Sequence, residues 1–218
     1  MPALVVDGSS QHFFAGILNE KGEWLSRQTS PDPPLESLFT SVDEVLKSCG
    51  LELESIRSYI YCEGPGSVLG LRLCAMAIEV WRRLSPSKTR LFSYNSLQLT
   101  AAGISIEGLP TQGALLISDW KKAAWNGIKL DAGAAREVSP IESAIAASWS
   151  GPLYHLPARK GWQEAPAHAH AIAYAPEQVQ KHLQAKGLLR ETKDIELYSA
   201  GANTFQKWTP ERHRAPGK

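Results

Sequence analysis

Cysteine is scarce in this sequence. Three occur, Cys49, Cys62 and Cys74, an odd number with no C-x-x-C pair, so neither a disulfide framework nor a zinc knuckle is indicated. Histidine supplies no ligand set either. Of six, only His168 and His170 lie close together, in an Ala/Pro-rich stretch, and no third ligand stands at a suitable spacing. Neither sign of charge predominates: 23 basic residues face 22 acidic ones, which excludes the overall basic footprint of a nucleic-acid-binding domain. No apolar run approaches the roughly 20 residues of a membrane span, and the sequence opens directly on a strand pattern rather than a charged and apolar leader. These absences describe a reduced, soluble, cytoplasmic protein. Its 218 residues suit one large or two small domains with a real core.

What is present centres on Cys62-Glu63-Gly64-Pro65-Gly66-Ser67-Val68-Leu69-Gly70-Leu71-Arg72. Residues 56–61 before it are rich in β-branched and aromatic types and predict a buried strand. Residues 71–84 after it predict a helix. Gly64, Pro65, Gly66 and Gly70 let the backbone turn sharply between them, and Ser67 is placed to cap the helix. Such a turn can aim backbone N–H groups at an anion, or bring a helix hard against a neighbouring backbone. No Lys-Ser/Thr pair follows the glycines, so this is not a P-loop. The glycine spacing loosely resembles a dinucleotide fingerprint, but Leu91-Phe92-Ser93-Tyr94 lacks the acid that would hold a ribose. Packing is the expected role. Ser67 lies outside any G-x-S-x-G elbow and has no base beside it, so it reads as a cap rather than a nucleophile.

Residues 3–7 read as a strand ending on Asp7, Gly8-Ser9-Ser10 as a turn, and 12–18 and 23–28 as two further strands. A proline-rich linker leads to a helix in which Leu35, Leu38, Phe39, Val42, Val45, Leu46 and Cys49 recur at helical spacing, with Pro34 to open it and Gly50 to stop it. The second helix carries only Arg72 and Glu79 as charges before Arg82. Being apolar nearly all round, it predicts cover on more than one side. A strand over 90–94 and a helix over 96–103 follow. A meander followed by alternating helices and strands is the ribonuclease-H-like order of an α/β layer. The second half opens near 103–113 and repeats the theme with a strand ending on Asp119. Strands over 123–130 and 135–138, a helix over 139–150, an irregular stretch over 151–166, a helix over 176–187 and a last strand over 195–198 are expected. Lys207, Arg212, His213, Arg214 and Lys218 form a short basic tail, read as a solvated end, and deletion of Pro210–Lys218 should leave folding intact.

With these pieces placed, residues 64–72 resemble the GPGS-aromatic-Thr-Gly-Leu/Val-Arg signature of the TsaB/YeaZ family, in the glycoprotease superfamily. Leu4-Val5-Val6-Asp7 is similar to the family's opening strand and acid, Val42-Asp43-Glu44-Val45-Leu46 to its first helix, and Asp119 with Lys121 to an Asp-x-Arg at the start of the second half. Departures are clear. Val68 and Leu69 replace the aromatic and the threonine, Pro34 stands where a histidine commonly precedes the first helix, Ala124 where a glutamate follows, and Ala200 where the last strand has an arginine.

The resemblance implies an α/β, actin-like (ASKHA) fold of two ribonuclease-H-like halves, 1–105 and 106–218, the second divergent and ending in the basic tail 207–218. It implies a divergent family member without catalytic residues, cofactor or metal of its own. Such a member is a dimerisation scaffold for threonylcarbamoyladenosine modification of tRNA, pairing with a TsaD-like catalytic paralogue on which a TsaE-like ATPase docks, and meeting tRNA only through the complex. The implied partner surface lies on the first two helices, at Leu35, Leu38, Phe39, Val42, Gly66, Ser67, Gly70, Arg72, Ala75 and Glu79. A homodimer through these helices is expected when the partner is absent, because large apolar patches are rarely left open.

The alternative is an actin-like nucleotide hydrolase or phosphotransferase. It would hold ATP or ADP and Mg through Asp7, Ser9, Ser10 and Asp119, since the strand-ending acids of such halves converge on a cleft. A metalloprotease, the superfamily's historic label, would need a histidine pair at i and i+4 that this sequence lacks. Trp81 is expected in the core or an interface, and Trp120, Trp125 and Trp162 along the second half. None suggests base stacking without a basic groove.

Overall fold

The computed structural model describes residues 2–85, 87–121, 123–131, 137–157, 163–183 and 187–199. Strand alternation decides its layers. In β1 (Ala3–Asp7), β2 (Phe13–Leu18) and β4 (Ser58–Gly64), successive side chains point to opposite faces. Leu4, Val6, Phe13, Ala15, Ile17, Tyr59 and Tyr61 share one core with α1 (Pro34–Ser48) and α2 (Val68–Leu84). Val5, Phe14, Leu18, Ile60 and Cys62 share another with Leu99 of α3 (Ser96–Ile106) and Val179 of the 3₁₀ helix Pro176–His182. Both faces are covered, so these strands read as continuous apolar runs.

Strand β3 (Trp24–Ser30) completes an antiparallel meander with β2 and β1, while β4 runs parallel to β1 and β5 (Arg90–Asn95) parallel to β4. The second half repeats the pattern. There β6 (Leu115–Lys121), β7 (Ala124–Lys129) and β8 (Ser139–Glu142) form the meander, and β9 (Leu153–His155) and β10 (His170–Ala171) add in parallel beyond β6. The sheet orders are β3-β2-β1-β4-β5 and β8-β7-β6-β9-β10, with β11 (Arg190–Thr192) added antiparallel to β5. Two copies of this order are the two ribonuclease-H-like halves of the actin-like fold.

Helix α1 opens with Pro34 at its first position, and Gly50 closes it at φ 62°. Helix α2 is capped by the Ser67 hydroxyl, which accepts from the Gly70 N–H at 3.3 Å. It buries Leu71, Cys74, Ala77, Ile78 and Trp81, but only on that face. Cover on more than one side belongs instead to α3, whose Leu97, Ala101 and Ile104 pack on Leu116 and Ile128 of the second sheet while Leu99 packs on the first. Helix α3 lies between two sheets, whereas α2 lies outside one.

Other expectations are corrected. Residues 139–142 are not helical: they pair with β7 as β8, and Pro140 is tolerated there because β8 is an edge strand. Only Ser143–Ala147 forms a helix, α4. The last strand is β11 rather than 195–198. Ile195 and Leu197 instead pack into the first half, and the Tyr198 N–H donates to the Glu63 carbonyl at 2.8 Å. The stretch read as irregular holds β9, and the helix expected over 176–187 is a 3₁₀ helix ending at His182. Tyr174, Val179, Leu183, Leu188, Leu197 and β11, which follow a division at 105/106, pack with the first half. Trp162, Ala200 and the tail 207–218 lie outside the described residues, as does part of the strand expected over 135–138. No helix among the described residues is long and apolar enough to cross a membrane.

Two glycine-to-alanine changes should separate close approach from simple helix propensity. A Cβ on Gly70 would lie 2.0 Å from the Gly8 carbonyl oxygen, whereas one on Gly103 in α3 would meet nothing nearer than 3.9 Å. Gly70→Ala should cost about 3 kcal/mol, because backbone cannot move aside as a side-chain tip can. Gly103→Ala should be neutral or stabilise by up to about 1 kcal/mol. Urea unfolding of both variants checks the contrast.

Candidate functional site

The glycine-rich turn docks on the turn between β1 and β2. The Ser67 N–H donates to the Ser9 carbonyl at 2.7 Å. A Cβ on Gly66 would lie 2.3 Å from that same oxygen, and one on Gly8 would lie 2.8 Å from the Gly70 carbonyl oxygen. Ser96 at the start of α3 ties down the other side by donating to the Pro65 carbonyl at 2.7 Å. The glycines therefore permit backbone-to-backbone contact, and the Ser67 and Gly70 N–H groups are engaged within the protein.

Beneath this contact lies Asp7, only 1% exposed. One carboxylate oxygen accepts from the Ser9 N–H at 2.7 Å, and the other from the hydroxyls of Tyr94 and Tyr174. Burial first, and the Asp7 charge second, push the Tyr94 and Tyr174 phenols well above their ordinary range. The same two causes raise the Cys62 and Cys74 thiols, so neither is a thiolate nucleophile. Tyr174 reaches Asp7 from the segment that returns from the second half, and its hydroxyl also lies 3.8 Å from the Cys62 sulfur.

Between the halves runs a cleft of about 900 Å³, walled by the β1–β2 turn, the β3–α1 linker, the glycine-rich turn, the start of α3 and the end of β6. Ser9, Ser10 and Asp119 line it together with His12, Ser67, Ser118 and the Tyr174 ring; Asp7 does not. Ser10 is engaged in its own turn, donating to the His12 carbonyl at 2.8 Å. No lysine or arginine is among the described lining residues. The residues present thus fit a metal-bound nucleotide poorly. The acid at the first strand end is taken up by three internal donors, and among the described residues no group of three His, Cys, Asp or Glu side chains could hold a metal ion. His168 and His170 are both exposed, the latter on β10 with its ring 6.3 Å from that of Tyr154. Trp125 is buried in the second half, and the Lys121 ammonium lies 4.1 Å from the Trp120 ring.

The outer face of the two first-half helices carries a different surface. Leu35 and Phe39 of α1 are 65% and 69% exposed, and Val68, Leu69, Met76, Val80 and Leu84 of α2 are exposed beside them. The Phe39 ring meets Trp81 edge-on at 6.3 Å, which joins the two helices into one apolar face. Of the residues expected there, Arg72 is exposed and Ala75 and Glu79 are half-buried. Leu38 and Val42 turn inward, at 3% and 4% exposure. Gly66 and Ser67 line the cleft, and Gly70 is buried under Gly8. Glu79 lies 3.8 Å from both Arg82 and Arg83. Sequence reasoning missed Val68, Met76, Val80 and Leu84, although with Arg72 they recur at i, i+4 along one stripe.

The architecture and the cleft define an actin-like protein of two ribonuclease-H-like halves. No protein-family model matches the chain, and no curated protein does. Among solved structures, YeaZ from Pseudomonas aeruginosa superposes with a TM-score of 0.62 at 17% identity, covering 91% of this chain and 99% of that one. An uncharacterized protein with similarity to peptidase YeaZ from Pseudomonas aeruginosa gives 0.63 at 16% identity, covering 92% and 99%. The likeness is one of fold.

The Asp7 cluster sets two expectations. Tyr174→Phe removes a donor to a buried charge and should cost about 2 kcal/mol, whereas Tyr61→Phe removes a neutral pair with the Glu196 backbone and should cost about 1 kcal/mol. Equal costs in urea unfolding would mean that the Asp7 charge is not what Tyr174 holds. The second concerns alkali. All six tyrosines have phenols raised above 10.0, chiefly by burial, with Tyr59 pushed up to about 12. Unfolded thiols ionise near 8.5 and phenols near 10, so the stability that the buried thiols and phenols contribute should begin to fall above about pH 8.5 and fall more steeply beyond about pH 10. Absorbance at 295 nm should lag until unfolding releases the phenols. Early, graded ionisation without unfolding would contradict their burial.

Proposed function

We propose that this chain is a TsaB/YeaZ-type, non-catalytic subunit of the machinery for threonylcarbamoyladenosine modification of tRNA. It works in the cytoplasm by docking a TsaD-like catalytic paralogue through the α1–α2 face. A TsaE-like ATPase joins the resulting pair, and tRNA is met only through the complex. In the absence of the paralogue, a second copy of the chain takes the same face.

The observation that carries this reading is the exposed stripe of Val68, Met76, Val80 and Leu84 on α2, interrupted by Arg72 and flanked by Leu35 and Phe39 of α1. A contiguous exposed patch of this kind marks an interaction surface rather than scattered surface leucines. Two helices facing two helices of a partner make a compact helical contact, and in a homodimer the same residues serve both sides. The YeaZ-like fold supports the assignment. So does the internal engagement of Asp7, which leaves the cleft without the acid pair that nucleotide chemistry would use. No specific observation favours the hydrolase alternative.

Met76, 67% exposed near the middle of the strip, is the residue to test. Met76→Glu places a charge in an otherwise dry contact, costing about 3 kcal/mol of binding, or roughly a hundredfold in affinity. Sedimentation velocity and co-purification with the TsaD-like paralogue should show both associations weakened while circular dichroism and melting stay unchanged. Undiminished association would place the interface elsewhere.

A further inference from the structure

Two buried oxygens in the second half stand without hydrogen-bond donors. Ser118 and Asn126 are paired across β6 and β7, at 8% and 2% exposure. The Asn126 Nδ2 group donates to the Asp119 carbonyl at 2.9 Å. That bond fixes the amide's orientation, because Oδ1 in its place would face another acceptor. Neither Asn126 Oδ1 nor Ser118 Oγ has a hydrogen-bond partner among the described residues. Buried polar atoms are nearly always satisfied, so two orphans side by side point to a donor from outside the chain.

Their place in the fold is the wall of the cleft. Strand alternation puts them on the face that Leu116 and Ile128 turn toward α3, as the next pair along it. The apolar contact with α3 gives way there to the cleft, which Ser118, Asp119 and Ser96 at the start of α3 all line. We propose that this second-half wall, Ser118 and Asn126 with Asp119 beside them, is a binding site for a primary amine carried on an apolar body.

The donor count favours an amine. A protonated primary amine has three N–H donors and no acceptor, whereas a hydroxyl brings one donor and acceptors that this wall does not need. Ser118 Oγ and Asn126 Oδ1 take two of the three. The Asp119 carboxylate, with acceptor room for more than one donor, takes the third and matches the charge. An anion suits the cleft poorly, since no lysine or arginine is among its described lining residues.

The opposite side selects the body. Pro33, Pro34 and Pro65 line the cleft from the first half, and Tyr174, whose hydroxyl is bonded to Asp7, offers it an aromatic ring. These surfaces make apolar contact and few hydrogen bonds. A volume of about 900 Å³ lies within the range of small-molecule sites, where a few placed polar groups orient a mostly apolar molecule. The wall stands apart from the exposed α1–α2 face, so the inference does not depend on docking there.

Benzylamine is the probe, with benzyl alcohol and benzoate as controls that keep the ring and change the head group. Each is titrated at neutral pH against the full chain by ligand-observed saturation-transfer NMR. Benzylamine should bind about tenfold more tightly than benzyl alcohol, and benzoate should not saturate. Ser118→Ala should weaken benzylamine about fivefold, with circular dichroism and melting matched to the parent. Asp119→Asn should bring the amine and the alcohol close to equal affinity. Benzoate or benzyl alcohol binding as well as the amine to the unaltered chain overturns the proposal, and that comparison needs no variant to fold. Undiminished amine binding in a folded Ser118→Ala chain also overturns it, as does the absence of saturable benzylamine binding at millimolar concentration.

Discussion

Gly70 and Gly8 approach so closely that neither backbone leaves room for a Cβ on the other, and a Cβ on Gly66 would likewise meet Ser9. This contact between two turns sets much of what surrounds it. It holds the first turn of α2 against the end of β1, and that position fixes which stripe of α2 meets the sheet. With Leu71, Cys74, Ile78 and Trp81 turned inward, the stripe from Val68 to Leu84 has to face outward. The exposed apolar face is thus a consequence of a backbone contact at the helix start.

The same contact closes over Asp7. A carboxylate buried without donors would cost several kcal/mol. Here the donors come from three separate places: the turn after β1, the end of β5 and the segment returning from the second half. The charge therefore ties these pieces together. In doing so it is withdrawn from the cleft, where a strand-ending acid of this fold would otherwise be available for chemistry.

Helices α2 and α3 show how little apolar composition says about exposure. Both are poor in charge along most of their length. Helix α3 is wedged between two sheets and buries residues toward each. Helix α2 lies on the outside of one sheet and leaves Val68, Leu69, Met76, Val80 and Leu84 exposed.

Much of the first half was legible in local pattern. Alternation in β1, β2 and β4, the Ser67 cap, Pro34 and Gly50 at the ends of α1, and the glycine-rich turn as a packing device all rest on interactions within a few residues, which sequence spacing records directly. In the second half the opening strand ending on Asp119 and the strand after it were legible in the same way. The errors came where a residue's neighbour is distant in the chain. Tyr174 reaches Asp7 across 167 positions, and no spacing rule foretells such a pair. Residues 139–142 have a helix-compatible sequence but are held extended by pairing with β7. Leu38 and Val42 share the helical period of Leu35 and Phe39, yet point into the core. The sequence by itself determined which segments of the first half are strands and helices, because those depend on local periodicity. Only the tertiary structure decided which apolar stripe stays open and where the acid of β1 is spent, because both depend on which surfaces the folded chain brings into contact.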